Sequence, residues 1–353
     1  MAATAGSGQS RGETSLCLCS THLQLVNIVE YLAYRRVENN HLIVLESGSA
    51  DRGIVDFARQ HYTTYFTSIT EVKRWAPKNK LNPLRKLGHG LRFRRQIKSA
   101  IDAIGVPVDQ GVFGHGAEVY MGTAYKYAGR PPVVIVDDGT DTYRYLTDQR
   151  FRSRQRKKSR RQLKRYLYDS DCGFLDIAQF FTLLDPARAP ENLDVIQNPY
   201  TVLKQALGDR PLKQEQHIVG QHLVEIEAMD AVDYRKQIAA LCADFDGPSR
   251  YFPHPGEIAE NLESLAGIPG LDIVNINQPY ELYFLNQPES PCQLSSFCTT
   301  AFITLSSWVN DPRIRFYYLD IVPLLKRQAI VERAKFAYSF TRNNPQLELI
   351  PAK

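Results

Sequence analysis

The stretch Val133-Val134-Ile135-Val136-Asp137-Asp138-Gly139 runs four β-branched residues straight into two carboxylates and a glycine. An apolar run without polar alternation is the pattern of a short strand buried on both faces, and such strands belong to parallel sheets. Working outward, the same unit recurs. Ser15-Leu16-Cys17-Leu18-Cys19 leads through Ser20-Thr21 into a stretch where Leu25, Ile28, Val29 and Leu32 fall at helical spacing. His41 to Leu45, a mixed helix after Asp51, an apolar run at Gly111 to Phe113 and a helix from Ala117 fill the interval before Val133.

A second alternating series follows. Strands are expected at His217 to Val224, Arg250 to Phe252, Leu271 to Ile276, Gln293 to Phe297 and Ile314 to Leu319, with a helix at Asp233 to Ala243. The chain of 353 residues suits two domains. The basic run Arg150 to Arg165, which holds ten Lys or Arg and no acid, interrupts the alternation, so the boundary is placed there. The expected organisation is a tail over 1–13, one Rossmann-like domain over 14–165, a second over 166–320, and a helical segment over 321–353 packing back on the first. Neither GxGxxG nor GxxxxGK[ST] occurs, which argues against dehydrogenase and P-loop classes. Two α/β units facing each other across a cleft fit the double-Rossmann architecture of many glycosyltransferases.

Composition is globular, with 43% hydrophobic and 23% charged residues. No apolar run reaches the roughly 18 residues of a spanning helix. Residues 1–13 lack the apolar core of a secretory signal and read as a disordered tail, while the cysteine usage points to a cytoplasmic, reduced protein. The six cysteines sit mostly in apolar segments and read as small buried hydrophobes. Cys17 and Cys19 point the same way from a strand, and no second ligand pair follows at zinc spacing, so no metal is expected. The net charge of +5 is concentrated in Arg150 to Arg165 and in Lys73 to Lys98. These runs are either solvated faces or attractors for an acidic polysaccharide, an anionic membrane surface or nucleic acid.

In open parallel sheets a ligand lies beyond the carboxyl ends of the strands. Three such positions carry chemistry. Asp137-Asp138-Gly139 puts carboxylates at a strand end, where one can take a proton from an acceptor hydroxyl, although Asp-Gly is also an ordinary turn. Tyr251-Phe252-Pro253-His254-Pro255-Gly256-Glu257 holds an imidazole between two prolines, where it can meet a phosphate. Ser295-Ser296-Phe297-Cys298-Thr299-Thr300 opens the helix Ala301 to Trp308 and offers hydroxyls and free N–H groups, as an N-cap also does. Ser306 and Ser307 are weaker candidates.

These pieces, in this order, resemble the bacterial sialyltransferases of the lipooligosaccharide and polysialic-acid families. The acidic-acidic-Gly motif stands as Asp137-Asp138-Gly139, the His-Pro motif as His254-Pro255 and the paired hydroxyl as Thr299-Thr300. Thr21-His22-Leu23-Gln24 stands where Thr-Pro-Leu-Gln opens the chain, and Gly220-Gln221-His222-Leu223-Val224-Glu225 where Gly-Gln-Pro-Leu and an acid are usual. The departures are His22 and His222 for proline, Thr-Thr for Ser-Ser or Ser-Thr, and Gly256 where arginine often follows.

The resemblance implies a GT-B fold and an inverting, metal-independent transfer of a nonulosonic acid, sialic acid or a relative, from a CMP-activated donor to a surface glycan of capsule or lipooligosaccharide. Its implied catalytic residues are His254 on the leaving phosphate and Asp138 or Glu225 as base. His254, Pro255, Glu257, Ser296, Thr299 and Thr300 form the implied nucleotide side, and Thr21, Gln24, Asp137 and Gly139 the acceptor side. The expected partners are the CMP-sugar and an acidic or lipid-linked acceptor glycan. Peripheral attachment to the inner membrane face through Arg150 to Arg165 and a homodimer are both open, while nucleic acid is disfavoured. The competing readings are a UDP-hexose transferase of the same fold and a non-catalytic polyanion-binding module.

Overall fold

The computed structural model describes residues 12–47, 53–74, 83–114, 119–161 and 163–353. The chain divides into two compact units, Met1–Val202 and Leu203–Lys353. Nearly all of the tail reading, and the start of the helix expected from Ala117, lie outside the described residues.

The first unit runs β1 (Thr14–Cys19), α1 (His22–Arg35), β2 (Asn39–Ser47), α2 (Ile54–His61), β3 (Ser68–Arg74), α3 (Pro83–Asp102), β4 (Gln110–Phe113), α4 (Val119–Tyr127) and β5 (Val133–Val136). It continues through α5 (Thr140–Thr147), α6 (Gln149–Arg161), α7 (Leu163–Leu167), β6 (Gln179–Thr182) and β7 (Val195–Gln197). Its seven strands lie in the order β3-β2-β1-β4-β5-β6-β7, every pair parallel. Because side chains alternate along a strand, Leu16 and Leu18 enter one core with Phe93, Ile97 and Met121, while Cys17 and Cys19 enter the opposite one with Leu25, Ile28 and Val29 of α1. Both cysteines are fully buried, and desolvation raises both thiol pKa values, so they act as packing groups.

The second unit runs α8 (Thr201–Leu207), which begins in the last residues of the first, then β8 (Leu212–Val219), α9 (Ala231–Asp244), β9 (Ser249–Phe252), α10 (Ala259–Ala266) and β10 (Leu271–Ile273). There follow α11 (Tyr280–Leu285), β11 (Ser290–Ser296), α12 (Ala301–Trp308), β12 (Arg315–Asp320), α13 (Gln328–Tyr338) and β13 (Leu347–Pro351). The six strands are parallel in the order β10-β9-β8-β11-β12-β13, the winding of a dinucleotide-type fold. In each unit the order reverses beside the first strand, between β1 and β4 and between β8 and β11.

Four sequence expectations differ from the structure. The division falls at 202 and not at 165, because β6 and β7 extend the first sheet. The basic run is no linker. It forms α6 and α7, where Arg152 Nη1 donates to the carbonyls of Tyr145 (3.1 Å) and Leu146 (2.9 Å) and Arg156 donates to Tyr145 Oη (2.9 Å) and Leu175 O (3.1 Å). Residues 321–353 belong to the second unit and end in a strand, β13, paired with β12. The strand expected over His217 to Val224 is also shifted: β8 ends at Val219, and Leu223, although apolar, packs from a loop into the core with Tyr234 and Ile238. Among the described residues no helix is long and apolar enough to cross a membrane.

Candidate active site

The first unit places Thr21 and Asp138 together. Thr21 follows β1 by two residues and caps α1, its Oγ1 accepting from Gln24 N at 3.2 Å. The same hydroxyl donates to Asp138 Oδ1 at 3.4 Å, which links the loops after β1 and β5. Asp138 N donates to Thr142 Oγ1 in the first turn of α5 (2.9 Å), and Gly139, at φ 65°, supplies the left-handed conformation that turns the chain into that helix. Asp138 is half-buried.

Its neighbour is different. Asp137 is 2% exposed and points into the fold, its Oδ2 accepting from Leu183 N (2.7 Å) and Tyr200 Oη (3.4 Å), while Oδ1 has no partner. Burial pushes its carboxyl up to about 7. Gln24, implied on the acceptor side, is also fully buried, and its Oε1 accepts from Ser20 N at 2.7 Å. A Cβ at Gly114 would come within 2.5 Å of its side chain, so Gln24 wedges β1 against the end of β4. Both side chains are held inside the fold by bonds to neighbouring loops, with Asp137 Oδ1 and Gln24 Nε2 buried and unpartnered among the described residues.

The second unit stitches three loops at one sheet edge. Gln221, two residues past β8, accepts from Cys298 N at 2.8 Å through Oε1, which joins the loop after β8 to the loop after β11. Its own N–H donates to Tyr234 Oη of α9 (2.9 Å); that oxygen lies 2.8 Å from Tyr251 Oη of β9, which donates to Glu257 Oε2 at 2.6 Å. Glu257 Oε1 accepts from His254 N at 2.6 Å. The relay runs from the third loop to the backbone of the histidine and explains Gly220: a Cβ there would fall on Tyr251 Oη and Glu257 Oε1. Burial raises the Glu257 carboxyl to about 7.

His254 is thereby fixed in position and in tautomer. Its Nδ1 accepts from Gly256 N at 3.0 Å, so the neutral ring carries its proton on Nε2. Burial, then the nearby His222, lower its pKa. Pro255 is exposed beside it.

Thr299 Oγ1 accepts from Ala301 N (3.3 Å), and its carbonyl accepts from Tyr318 Oη (2.7 Å). Thr300 is exposed at the start of α12 and makes no side-chain cap bond. Two of the residues implied to bind nucleotide are otherwise engaged. Ser296 is fully buried and donates to Val219 O at 2.6 Å, a tie between adjacent strands. Glu257 spends both oxygens on the relay. Glu225, implied as an alternative base, accepts from Ile258 N (3.1 Å) and Asn261 Nδ2 (2.7 Å) at the head of α10, and its Oε2 is buried without a partner. Glu225 and Glu257 line one small pocket with Gln221, Tyr234 and Asn261.

Sequence reasoning missed the two tyrosines of the relay, because aromatic residues at helix and strand positions read as core. The glycine at 220 was the available signal. Among the described residues no group of three or more His, Cys, Asp or Glu could hold a metal ion.

No family model matches the chain, and no curated protein matches it. Solved structures do. One is TcCGT1 in complex with UDP, 10% identical, covering 96% of this chain and 86% of that one, with TM-score 0.54. Another is LpCGTa in complex with UDP, 10% identical, covering 87% and 80%, with TM-score 0.51. A UDP-glucosyltransferase from Polygonum tinctorium is 11% identical over 88% and 80%, with TM-score 0.48. Likeness at this identity establishes architecture. The chain has the GT-B fold, two Rossmann-like units with parallel sheets of seven and six strands.

Proposed function

We propose that the chain is an inverting glycosyltransferase that moves a nonulosonic acid from a CMP-activated donor to a hydroxyl of a surface glycan. The observation that carries this reading is the sheet edge of the second unit, where the relay through Gln221, Tyr234, Tyr251 and Glu257 immobilises His254, its Nε2–H unbonded among the described residues, on the same edge from which the loop after β11 leads into α12. A fold serves many chemistries, so the residues at this edge must carry the assignment.

In the proposed reaction the acceptor O–H gives its proton to Asp138, and the oxygen forms the new bond to the anomeric carbon with inversion. The bond from that carbon to the CMP phosphate oxygen breaks, and the phosphate leaves with the electron pair. Its charge is met by His254 Nε2–H and by Thr299 and Thr300 at the start of α12. Asp138 is preferred over Glu225 as base because Thr21 orients its carboxylate in the loop after β5, whereas Glu225 Oε1 accepts two bonds at the head of α10 and its Oε2 is buried.

A second reading is supported by the UDP complexes of the two structures above TM-score 0.5: a hexose transferred from a UDP donor. Thermal-shift and calorimetric titration with CMP and UDP separate the two, since a ligand bound only by the folded state raises the melting temperature. Protection by CMP and not by UDP is the expected result; the reverse assigns the UDP-hexose reaction. The exposed Arg150, Arg154 and Lys157 of α6 are proposed to draw an acidic acceptor or an anionic membrane surface to the enzyme.

A further inference from the structure

The loop after β8 carries an imidazole to which the reaction above gives no task. The ring of His222 lies nearly parallel to that of His254, with centroids 4.2 Å apart and planes 23° apart, both half-buried. Among the described residues only one of the four ring nitrogens is hydrogen-bonded, His254 Nδ1 to Gly256 N. Gly256 makes room for the stack: a Cβ there would lie 3.1 Å from His222 Cγ and 3.2 Å from His254 Nδ1. A proton on one imidazole disfavours a proton on its neighbour, and a compact anion against both rings relieves that opposition. A metal ion fits the pair less well, since the described residues offer no third ligand.

We propose that His222 and His254 act as one two-imidazole clamp on the phosphate of the nucleotide donor, His222 being a contact in its own right. This rests on the nucleotide-donor reading above. The titratable groups around the pair are Glu225 on the His222 loop and Glu257 on the His254 loop, Tyr234 and Tyr251 behind them, and, on the β11 side, Cys298 with Arg333 of α13 nearby. The burial that lowers the His254 pKa leaves it largely neutral at pH 7 before the phosphate arrives. Phosphate binding then takes up a proton, and affinity falls as pH rises.

The test is calorimetry on the full chain with CMP, UDP and cytidine at pH 6.5 and 8.5, comparing wild type with His222→Phe, which keeps a stacked ring and removes both nitrogens. Loss of one charge-assisted contact predicts that the variant binds the nucleotide about tenfold more weakly at pH 6.5, the pH dependence carried by His254 remaining. Cytidine, which lacks the phosphate, should bind both proteins equally. Equal nucleotide affinity at both pH values overturns the clamp and leaves the donor reading standing. An equal loss for cytidine also overturns it, by placing His222 at the base or in the fold. Binding of neither nucleotide to wild type overturns both readings.

Discussion

The two units wind their first six strands in the same relative order, yet their carboxyl edges are built differently. In the first, adjacent carboxylates diverge: Asp137 turns inward to Leu183 and Tyr200, while Asp138 stays near the surface with Thr21. In the second, side chains from α9 and β9 and from the loop after β8 brace a histidine whose outer nitrogen meets no partner among the described residues. Winding follows from apolar runs and helical spacing, whereas chemistry depends on which loop side chains have their bonding capacity left over. An acidic pair in sequence is therefore not an acidic pair in space.

The sharpest way to break this contrast is to remove the braced imidazole. His254→Ala should lower turnover by about 10²- to 10³-fold while leaving the melting temperature within a few degrees, because the losses are local, the Nδ1 contact and the stack on His222. Wild-type turnover with CMP-sialic acid would exclude His254 from the site. Next, Asp138→Asn should cost about 10²-fold in kcat with CMP affinity unchanged. Glu225→Gln should keep kcat and lower stability, and the opposite pattern would transfer the role of base to Glu225.

The two glycines sharpen the comparison in stability. Gly220→Ala drives a methyl onto Tyr251 and Glu257 and should destabilise by about 2–3 kcal/mol. Gly139→Ala meets only Leu23 Cδ2 at 3.7 Å and should cost about 1 kcal/mol, from its positive φ alone. Denaturant titration of both variants checks the order.

Proton linkage gives a further comparison. Asp137 and Glu257 have folded values near 7, above the unfolded carboxyl range, so the folded chain holds protons there that the unfolded chain has released. Their contribution is most favourable below about pH 4 and declines as pH rises toward 7, by up to about 1.4 kcal/mol per pH unit for each group. Asp137→Asn should flatten this decline in chemical denaturation between pH 5 and 7. The smallest effect concerns α6. Replacing Arg150, Arg154 and Lys157 with Gln should weaken acceptor use by a few-fold at low salt only, and an unchanged salt profile would remove these residues from substrate capture.

Much of this was legible in the sequence. Val133 to Val136, Ser15 to Cys19 and the helix Ala301 to Trp308 sit where their patterns placed them, because buried parallel strands and an apolar helix leave direct signatures. The domain boundary was not legible, since Arg152 and Arg156 look solvated in sequence and yet cap α5 and brace Leu175. β8 was misplaced because its first half, Lys213-Gln214-Glu215, is polar, Glu215 being paired with Lys213, His217 and Arg250. At the candidate site the motif positions were readable, but which oxygen is already spent, as in Asp137, Ser296 and Glu257, is decided by partners distant in sequence.

The sixth strand of the second sheet has its own consequence. β13 pairs with β12, and Lys353 then exchanges backbone bonds with the Gln237 carboxamide of α9, its N–H donating at 2.8 Å and its carbonyl accepting at 2.5 Å. Until residues 347–353 have left the ribosome, β12 is a bare rim and α9 lacks this clasp. The second unit therefore cannot close its sheet before Leu347 and the residues after it are made, and a nascent chain stalled upstream of Leu347 offers an open sheet margin to chaperones or to another copy of itself.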